Sequence, residues 1–239
     1  MRQIGVIITI NMHEKPMSYD EYAQIMSKAN LDRDDLANMY YLGQSPDAVK
    51  TQYDLIAVAY EDYVTKLQYQ SPVVLLDLLE ENNCIKKEDN ILDLGAGTGL
   101  MAELLISKGY KKISATDISQ KMLDIANEKK IYIDLKQADL SIECPFEENS
   151  FDLAIAAGVT EVAPAKFLEN SLKMIKPGGY LCFNLEIAIF QNEKSVYKST
   201  IEKLCKKQMS RIVDLTYTAH RAIAEGALPV SKALLYRKN

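Results

Sequence analysis

A glycine-rich segment at residues 91–100 constrains the fold of this chain more than any other stretch. It reads ILDLGAGTGL, so a short apolar run precedes three alternating glycines and a helix-patterned stretch follows them. This order predicts a strand, a tight loop and a helix. Glycine lets the loop backbone turn sharply and come close to a ligand, because it has no Cβ. The amides that open the following helix face the same crevice, so the segment predicts a binding loop.

The spacing of the loop and its one acidic residue narrow the choice of ligand. The glycines follow G-x-G-x-G and not the G-x-G-x-x-G of dinucleotide sites, and Asp93 precedes Gly95 by two residues. A carboxylate at this position repels the pyrophosphate of a dinucleotide and attracts an ammonium or sulfonium group. S-adenosylmethionine carries both cations and no phosphate, so it is the expected ligand. The alternative for this loop is a tight turn that binds nothing.

Strands and helices alternate from residue 90 onward, which predicts parallel βαβ units in a doubly wound, Rossmann-like α/β fold. The predicted strands are 90–94, 112–116, 131–136, 151–156 and 180–187, with a turn at 176–179, and the predicted helices are 100–108, 119–130, 164–175 and 192–208. Two final strands, 211–219 and 233–237, are expected to form an antiparallel hairpin at the sheet edge. Their connecting loop contains Gly226 and Pro229.

Two aspartates follow the second and third predicted strands. Asp117 lies 20 residues after Gly97, and an acid at that distance holds a ribose diol in this architecture. The other role open to Asp117 is to cap the next helix, but Ser119 already offers that cap. Asp139 could accept a hydrogen bond from an adenine amino group while Leu140 flanks the ring. An Asx-type turn is the competing explanation for Asp139.

The residues before the glycine loop are predicted to be helical. Ser45-Pro46-Asp47 is a typical helix start, and apolar residues recur at steps of three or four up to Leu67, which predicts one amphipathic helix. A second helix is expected over 71–83. Both helices could lie across the sheet edge as a lid, in which Tyr53 and Tyr60 either contact the ligand or pack in the core.

The chain is predicted to hold one domain with an N-terminal extension. Residues 46–239 form the domain, with a helical lid at 46–88 and a Rossmann-like core at 89–239, because no linker-like composition interrupts them. The extension, residues 1–45, contains an apolar run at 4–10 and expected short helices at 19–30 and 32–39. We expect the domain to fold and to bind its cofactor without the extension.

Composition argues against several classes of function. The net charge of -5 and the lack of a basic stripe argue against nucleic-acid binding. The four cysteines are scattered and there are only two histidines, so neither a disulfide framework nor a metal site is expected. We therefore expect reduced thiols and a cytoplasmic location. The run at 4–10 is too short to cross a membrane, so no membrane partner is expected.

The motifs ILDLGAGTGL, ATDIS, QADL, FDLAIAAG and IKPGGYL follow one another in this order. In order and spacing they resemble the successive motifs of class I S-adenosylmethionine-dependent methyltransferases, over roughly residues 50 to 187. Within that class, YDLIAVAYEDYV, DISQKMLDIAN and KPGGYLC are most similar to the Williams-Beuren-region methyltransferase-like family. The resemblance implies a seven-stranded sheet whose last strand inserts antiparallel beside the fifth, with an N-terminal helical lid.

The resemblance also implies a set of cofactor contacts. Asp93, Gly95, Gly97 and Gly99 would contact the methionine moiety, Asp117 the ribose, and Asp139 with Leu140 the adenine, while Ala96, Ile118 and Ala157 complete the expected site. The fourth strand is followed by AAGVTEVAP, without the Asn/Asp-Pro-Pro-Tyr signature of enzymes that methylate base or glutamine amide nitrogens. The cysteines also do not match an arsenite-methylating pattern. Both departures argue against those substrates.

These observations predict an enzyme that transfers a methyl group to an O, N or S atom of a small molecule. Candidates for a general base are Glu161, Tyr53, Tyr60 and His220. Each has a structural alternative: His220 as a surface or satisfied histidine, and Glu161 as a core-facing acid paired with a lysine. Two other functions remain open at this point, a non-catalytic cofactor-binding regulatory protein and a nicotinamide-dependent oxidoreductase on the related plan.

Overall fold

A seven-stranded sheet forms the centre of the molecule. The computed structural model describes residues 17–32, 35, 45–220 and 230–239. The strands are β1 Ile91–Leu94, β2 Ile113–Asp117, β3 Asp134–Gln137, β4 Phe151–Ala156, β5 Ile175–Glu186, β6 Met209–Thr218 and β7 Val230–Lys238. Their order across the sheet is β3-β2-β1-β4-β5-β7-β6. Strands β1 to β5 pair in parallel, and β7 is antiparallel to both β5 and β6. The predicted Rossmann-like sheet with its antiparallel last strand is confirmed.

Helices precede and connect the strands. They are α1 Tyr19–Met26, α2 Pro46–Ile56, α3 Tyr60–Lys66, α4 Ser71–Glu81, α5 Leu100–Ser107, α6 Gln120–Glu128, α7 Lys166–Met174, α8 Ile187–Gln191 and α9 Val196–Cys205, with 3₁₀ turns at Ser27–Ala29 and Ala57–Ala59. Within the described residues, no helix is long and apolar enough to cross a membrane.

The sheet is buried on both faces, as expected when parallel strands are covered by helices on each side. Side chains of β1 and β4 alternate between two apolar clusters. One cluster joins Leu92 and Ala154 to α7 and α9, and the other joins Ile91 and Leu153 to α4 and α5. The carboxyl ends of β1 to β4 are therefore held in fixed positions by packing on either side.

Two predicted helix starts carry the expected side-chain caps. Ser45 Oγ accepts a hydrogen bond from the Ala48 amide at the start of α2, and Ser119 Oγ accepts one from the Met122 amide at the start of α6. Such a cap pairs one of the backbone amides that a helix start leaves free. The prediction that Ser119 caps the helix after β2 is confirmed.

Two local predictions were wrong. The expected single helix from residue 46 to 67 is split by the 3₁₀ turn, because Ala57 and Ala59 are buried and the chain tightens where Ala59 packs against Met26. The predicted turn at 176–179 lies inside β5 as a bulge, since the pairing with β4 shifts register there. Gly178 carries the bend with φ of 82°.

Other boundaries differ by a few residues. Strand β3 begins at Asp134, three residues later than expected, and the predicted helix 192–208 is replaced by α8 and the shorter α9. The apolar run 4–10, the Gly226 and Pro229 loop, and most of the predicted helix 32–39 lie outside the described residues. The division of the chain at residues 45 and 88 remains a prediction.

Candidate functional site

A cleft of about 720 Å³ opens at the carboxyl ends of β1 to β4. Ligands of open α/β sheets bind at this edge, where strand order reverses. The lining residues come from the start of α2, the lid tyrosines, the glycine loop, the ends of β2 and β3, and the loop after β4: Pro46, Val49, Tyr53, Tyr60, Gly95, Gly97, Asp117, Ile118, Ala138, Asp139, Leu140, Ser141, Ala157, Gly158, Val159, Val162, Ala163 and Pro164. No Lys, Arg or His occurs among these described residues, so they supply no cationic side chain for a pyrophosphate.

The glycine loop lines the cleft with backbone that carries no side chains at Gly95 and Gly97. Gly95, Gly97 and Gly99 all have left-handed backbone, with φ of 65°, 55° and 97°, a region that glycine enters without the penalty of a Cβ. A Cβ on Gly95 would lie 2.5 Å from Val159 Cγ2. The loop after β4 therefore approaches the glycine loop as closely as it does only because position 95 has no side chain.

Asp117 ties the end of β2 to the glycine loop. Its Oδ2 accepts a hydrogen bond from the Gly97 amide at 2.8 Å, and its Oδ1 accepts one from the Ser119 amide at 2.8 Å. Burial raises the pKa of this carboxyl, while the backbone hydrogen bonds act in the opposite direction. Each carboxylate oxygen has a second lone pair, so Asp117 can also accept from a ribose diol in the cleft.

Asp139 forms the expected turn and keeps one carboxylate oxygen unpaired. Its Oδ1 accepts hydrogen bonds from the amide and the hydroxyl of Ser141, at 2.8 and 2.7 Å, so the Asx-type turn is present. Its Oδ2 is buried and has no hydrogen-bond partner among the described residues. Buried polar atoms are nearly always paired, and Asp139 lines the cleft. This oxygen is a ready acceptor for an amino group of a bound ligand.

Asp93 lies behind the glycine loop. It is 1% exposed, and its Oδ2 accepts a hydrogen bond from the Tyr132 hydroxyl at 2.7 Å. Burial raises the pKa of Asp93 to about 7. Asp93, Ala96 and Gly99 are outside the described cleft lining, so the expected contacts of Asp93 and Gly99 with the methionine moiety, and of Ala96 with the cofactor, remain predictions. Tyr132 also packs beside Gly99. No motif in the sequence predicted this role for Tyr132.

The lid tyrosines face the cleft. Tyr53 and Tyr60 both line it, and their rings meet edge to face with centroids 6.1 Å apart. Burial raises the pKa of each hydroxyl, so neither is a ready base at neutral pH. The geometry favours the contact role over the role of core packing alone.

Two polar contacts fasten the lid to the core. Asp54 Oδ1 on α2 accepts hydrogen bonds from the Ser119 hydroxyl at 2.6 Å and the Lys121 amide at 3.2 Å, at the start of α6. Lys129 Nζ lies 2.7 Å from both Glu61 on α3 and Glu103 on α5. The lid is therefore attached to the core at both ends of α6.

Glu161 and His220 are the two remaining base candidates. Glu161 Oε1 accepts a hydrogen bond from Asn184 Nδ2 at 2.8 Å, and no cation pairs with it among the described residues, so the lysine-paired alternative is not what the structure has. His220 follows β6 and is partly exposed, and neither His220 nor Glu161 is among the residues that line the described cleft. Asn184 and Tyr69 were missed from the sequence, because neither belongs to a short motif.

The chain resembles known methyltransferases. Residues 92–183 match the family model described as methyltransferase domain. The chain is 32% identical over 146 residues to the demethylmenaquinone methyltransferase of Paenarthrobacter aurescens, covering 60% of this chain and 57% of that protein. It is 33% identical over 143 residues to the malonyl-[acyl-carrier protein] O-methyltransferase of Haemophilus ducreyi, covering 56% and 51%. The chain thus spans about half the length of these curated relatives.

Solved structures agree on the fold. A TehB-like S-adenosylmethionine-dependent methyltransferase from Corynebacterium glutamicum superimposes with a TM-score of 0.56 at 17% identity, over 77% of this chain and 98% of that one. Together these findings show similarity in sequence to methyltransferases over part of the chain, and similarity in fold to S-adenosylmethionine-dependent methyltransferases. They do not identify the Williams-Beuren-region subfamily or a particular methyl acceptor.

Proposed function

We propose that this protein binds S-adenosylmethionine in the cleft and transfers its methyl group to an O, N or S atom of a small molecule. The observation that carries the proposal is the convergence of three features on one cleft: the left-handed glycine loop, the Asp117 carboxylate, and the unpaired Asp139 Oδ2. The family match and the fold neighbours add independent support.

The cleft residues fit the adenosyl part of this cofactor. Asp139 Oδ2 would accept from the adenine amino group beside Leu140, and Asp117 would accept from the ribose hydroxyls. The glycine loop would face the methionine moiety, as the resemblance implies. When bound, the cofactor supplies a methyl group already activated by the sulfonium charge. The protein's own contribution is then alignment, which can be worth ~7–11 kcal/mol.

The acceptor belongs to the part of the cleft formed by the lid and the loop after β4. The relatives named above act on a demethylmenaquinone and on a malonyl-[acyl-carrier protein], so they do not agree on one acceptor. We keep a small-molecule acceptor for this chain, together with the Williams-Beuren-region resemblance and the cytoplasmic location, as predictions.

Calorimetric titration with S-adenosylmethionine, S-adenosylhomocysteine and NAD tests the proposal. We expect micromolar binding of the two adenosyl sulfur compounds and none of NAD. Binding of NAD alone, or of nothing, would refute the cofactor assignment. Methyl transfer to no member of an acceptor panel, with the cofactor bound, would instead favour the non-catalytic regulatory alternative.

A matched pair of variants tests the adenine contact. Asp139→Asn keeps an oxygen for the Ser141 turn but places an amide NH₂ where Oδ2 now lies, so S-adenosylhomocysteine should bind about tenfold more weakly. Ser141→Ala removes the hydroxyl contact to Oδ1 and leaves Oδ2 unchanged, so its affinity should stay near that of the wild type. Equal affinities of the two variants would contradict the adenine assignment.

A further inference from the structure

Asn184 organises the loop after β4 from the centre of the sheet. It is fully buried at the carboxyl end of β5. Its Oδ1 accepts a hydrogen bond from the Gly158 amide at 2.7 Å, and its Nδ2 donates to Glu161 Oε1 at 2.8 Å. The Thr160 hydroxyl donates to the Asn184 carbonyl at 2.8 Å. One buried side chain thus fixes both the loop that lines the cleft and the carboxylate beside it.

Glu161 is an accessible carboxylate without a counter-ion in the part of the chain that the structure describes. Its side chain is exposed to solvent, yet the surrounding protein raises its pKa by desolvation. Among the described residues, no lysine, arginine or histidine forms an ion pair with it, and the charged group that acts on it most is Glu186. A cationic group of a ligand would therefore be attracted to this carboxylate, and no described cation competes for it.

Five tyrosine hydroxyls lie close enough to Glu161 for its charge to contribute to their raised pKa values. The charge of Glu161 acts on the hydroxyls of Tyr53, Tyr60, Tyr69, Tyr197 and Tyr217, which come from the lid, α9 and β6. Two of them, Tyr53 and Tyr60, also line the cofactor cleft. Tyrosine rings attract cations through the negative charge of their faces, so rings and carboxylate favour the same kind of ligand.

Tyr69 provides a second polar group on the cleft side. Its hydroxyl is buried and, although it comes near Ser71, it makes no hydrogen bond of ordinary geometry with the described residues. The Ser71 hydroxyl is instead the acceptor for Tyr217, at 2.7 Å. A Cβ on Gly158 would lie 2.6 Å from the Tyr69 hydroxyl oxygen. The unpaired hydroxyl therefore lies directly beside the backbone of the cleft lining.

We propose that Glu161, Asn184 and Tyr69 form the acceptor site and that this site takes a small molecule through a protonated amine. This inference rests on the proposed methyl transfer and names its acceptor class. The ammonium would donate hydrogen bonds to Glu161 and to the Tyr69 oxygen. A carboxylate acceptor would be repelled by Glu161 and Glu186, and the described cleft offers it no cation.

The site also has a destination for the proton that the amine must lose. An ammonium nitrogen has no lone pair to offer, so R–NH₃⁺ must become R–NH₂ before it can attack a methyl group. One N–H bond breaks and one O–H bond forms on Glu161, which gives R–NH₂ and a neutral carboxyl. The raised pKa of Glu161 makes this transfer less unfavourable than it would be for an ordinary glutamate. Asn184 acts as a positioning residue, through its contact with Glu161.

Binding of three probes of similar size tests the acceptor class. Phenethylamine, 4-ethylphenol and 3-phenylpropionate would be titrated into the full-length protein in the presence of saturating S-adenosylhomocysteine. We expect phenethylamine to bind at least tenfold more tightly than the other two. Tighter binding of the phenol or the carboxylate, or binding of none of the three, would overturn the inference. Saturation with S-adenosylhomocysteine in the same experiment keeps a failure here distinct from a failure of the cofactor assignment.

Variants then assign the binding to this site. Glu161→Gln keeps the size of the side chain but removes its charge, so phenethylamine affinity should fall about tenfold or more while the affinity for S-adenosylhomocysteine holds. The control is Glu193→Gln, which removes an exposed acid that pairs with Lys198, and it should leave both affinities unchanged. An equal effect of both variants, or none from Glu161→Gln, would overturn the assignment.

A pH profile tests the positioning role of Asn184. The groups that face Glu161 are Glu186 and the five tyrosines, and the tyrosine hydroxyls have raised pKa values. An aliphatic ammonium stays charged to about pH 10, so phenethylamine binding should be lost as the pH falls through the pKa of Glu161. Asn184→Asp keeps an acceptor for the Gly158 amide but adds a second carboxyl beside Glu161. Binding should then be lost at a higher pH than in the wild type, and an unshifted profile would contradict the positioning role.

Discussion

The two halves of the cleft are built in different ways. The cofactor half consists of strand ends and the loops directly after them, with Gly95, Gly97, Asp117 and Asp139 all within a few residues of β1, β2 or β3. The acceptor half is the site proposed above, Tyr69, Glu161 and Asn184, which come from three separate parts of the chain and adjoin the cleft at its lining residue Gly158. The first half depends on backbone conformation, and the second on packing between distant segments.

This difference predicts how each half responds to substitution. A change in the cofactor half disturbs backbone that cannot move without the strand that carries it, so it should have a large and local effect. A change in the acceptor half or the lid alters side-chain contacts that neighbours can partly replace. Four substitutions test this contrast, from the largest expected effect to the smallest.

Gly95→Ala should abolish measurable binding of S-adenosylhomocysteine. Left-handed backbone costs a non-glycine residue roughly 1–2 kcal/mol, and overpacking costs typically about 1–3 kcal/mol more, because the new Cβ would lie 2.5 Å from Val159 Cγ2. Together these costs, about 2–5 kcal/mol, correspond to a loss of roughly thirtyfold to several thousandfold when binding requires the native loop conformation. Calorimetry on a variant shown to be folded by circular dichroism measures it.

Gly109→Ala is the matched control for that prediction. Gly109 also has left-handed backbone, with φ of 91°, but an added Cβ there meets nothing within 4 Å. It should lose about 1 kcal/mol of stability and keep its cofactor affinity. Shortening Val159 in the double variant Gly95→Ala/Val159→Ala should restore part of the binding. Equal losses in Gly95→Ala and Gly109→Ala would show that close approach is not what matters at position 95.

Asp93→Asn should stabilise the protein at alkaline pH. The folded-state pKa of Asp93 is raised from 3.8 to about 7, so between these values the folded protein holds a proton that the unfolded chain has released. The free energy of unfolding therefore falls as the pH rises through this window and levels off above it. The neutral asparagine avoids this loss, by a few kcal/mol at most, given about 1.4 kcal/mol per pKa unit.

Urea denaturation at pH 5 and pH 8.5 measures this effect. The variant should exceed the wild type by more at pH 8.5 than at pH 5, and a gap that does not depend on pH would contradict the assignment of the raised pKa. Tyr132→Phe removes the hydroxyl that donates to the Asp93 carboxylate, and that hydrogen bond lowers the pKa of Asp93. In this variant the free energy of unfolding should therefore continue to fall up to a higher pH. The same Asp93→Asn protein also tests the predicted contact with methionine, because unchanged affinity for S-adenosylhomocysteine would assign Asp93 to the fold alone.

The sequence predicted most of the strand-end residues that line the cofactor half, while their contacts with a cofactor stay predictions. The residues that decide it are local: glycines whose spacing requires left-handed backbone, and Asp117 at a fixed distance from them. A motif records this kind of information because strand, loop and helix are contiguous. The same locality explains why Phe151–Ala156 was predicted with its observed bounds, since a buried strand between two turns is marked at both ends.

The remaining features depend on tertiary contacts that no short pattern records. Asn184 gave no signal, because an asparagine inside an apolar strand shows its role only when its partners Gly158 and Glu161 are known. The apolar pattern of the sequence is continuous through residues 57–59, but the structure has a 3₁₀ turn there. The turn forms where Ala59 packs against Met26, which lies far away in the sequence. The bulge at 176–179 likewise reflects the register that β4 imposes on β5.

Asp117→Ala should weaken the binding of S-adenosylhomocysteine about tenfold or more. The variant loses charge-assisted hydrogen bonds to the ribose, which are worth roughly 1.5–3 kcal/mol each. It also leaves the Gly97 and Ser119 amides without the acceptor that now holds them in place. Asp117→Asn keeps one carbonyl oxygen as an acceptor, so its affinity should lie between those of the wild type and the alanine variant. The control is Asp124→Ala, an exposed position on α6. Unchanged affinity in Asp117→Ala would refute the ribose assignment.

Lys129→Gln should have the smallest effect, because it acts on the lid and not on the cofactor half. Lys129 bridges Glu61 on the lid and Glu103 on the helix that follows the glycine loop, and partly exposed ion pairs of this kind contribute about 0.2–1 kcal/mol. We expect S-adenosylhomocysteine to dissociate roughly two- to fivefold faster at low salt, with the difference shrinking as salt screens the wild-type contacts. Stopped-flow displacement measures the rate.

The control is Lys166→Gln, which breaks a pair with Glu169 within α7 and should leave the rate unchanged. A Lys129→Gln rate equal to that of the wild type at low salt would mean that the hydrogen bonds of Asp54 at the start of α6 hold the lid without this bridge.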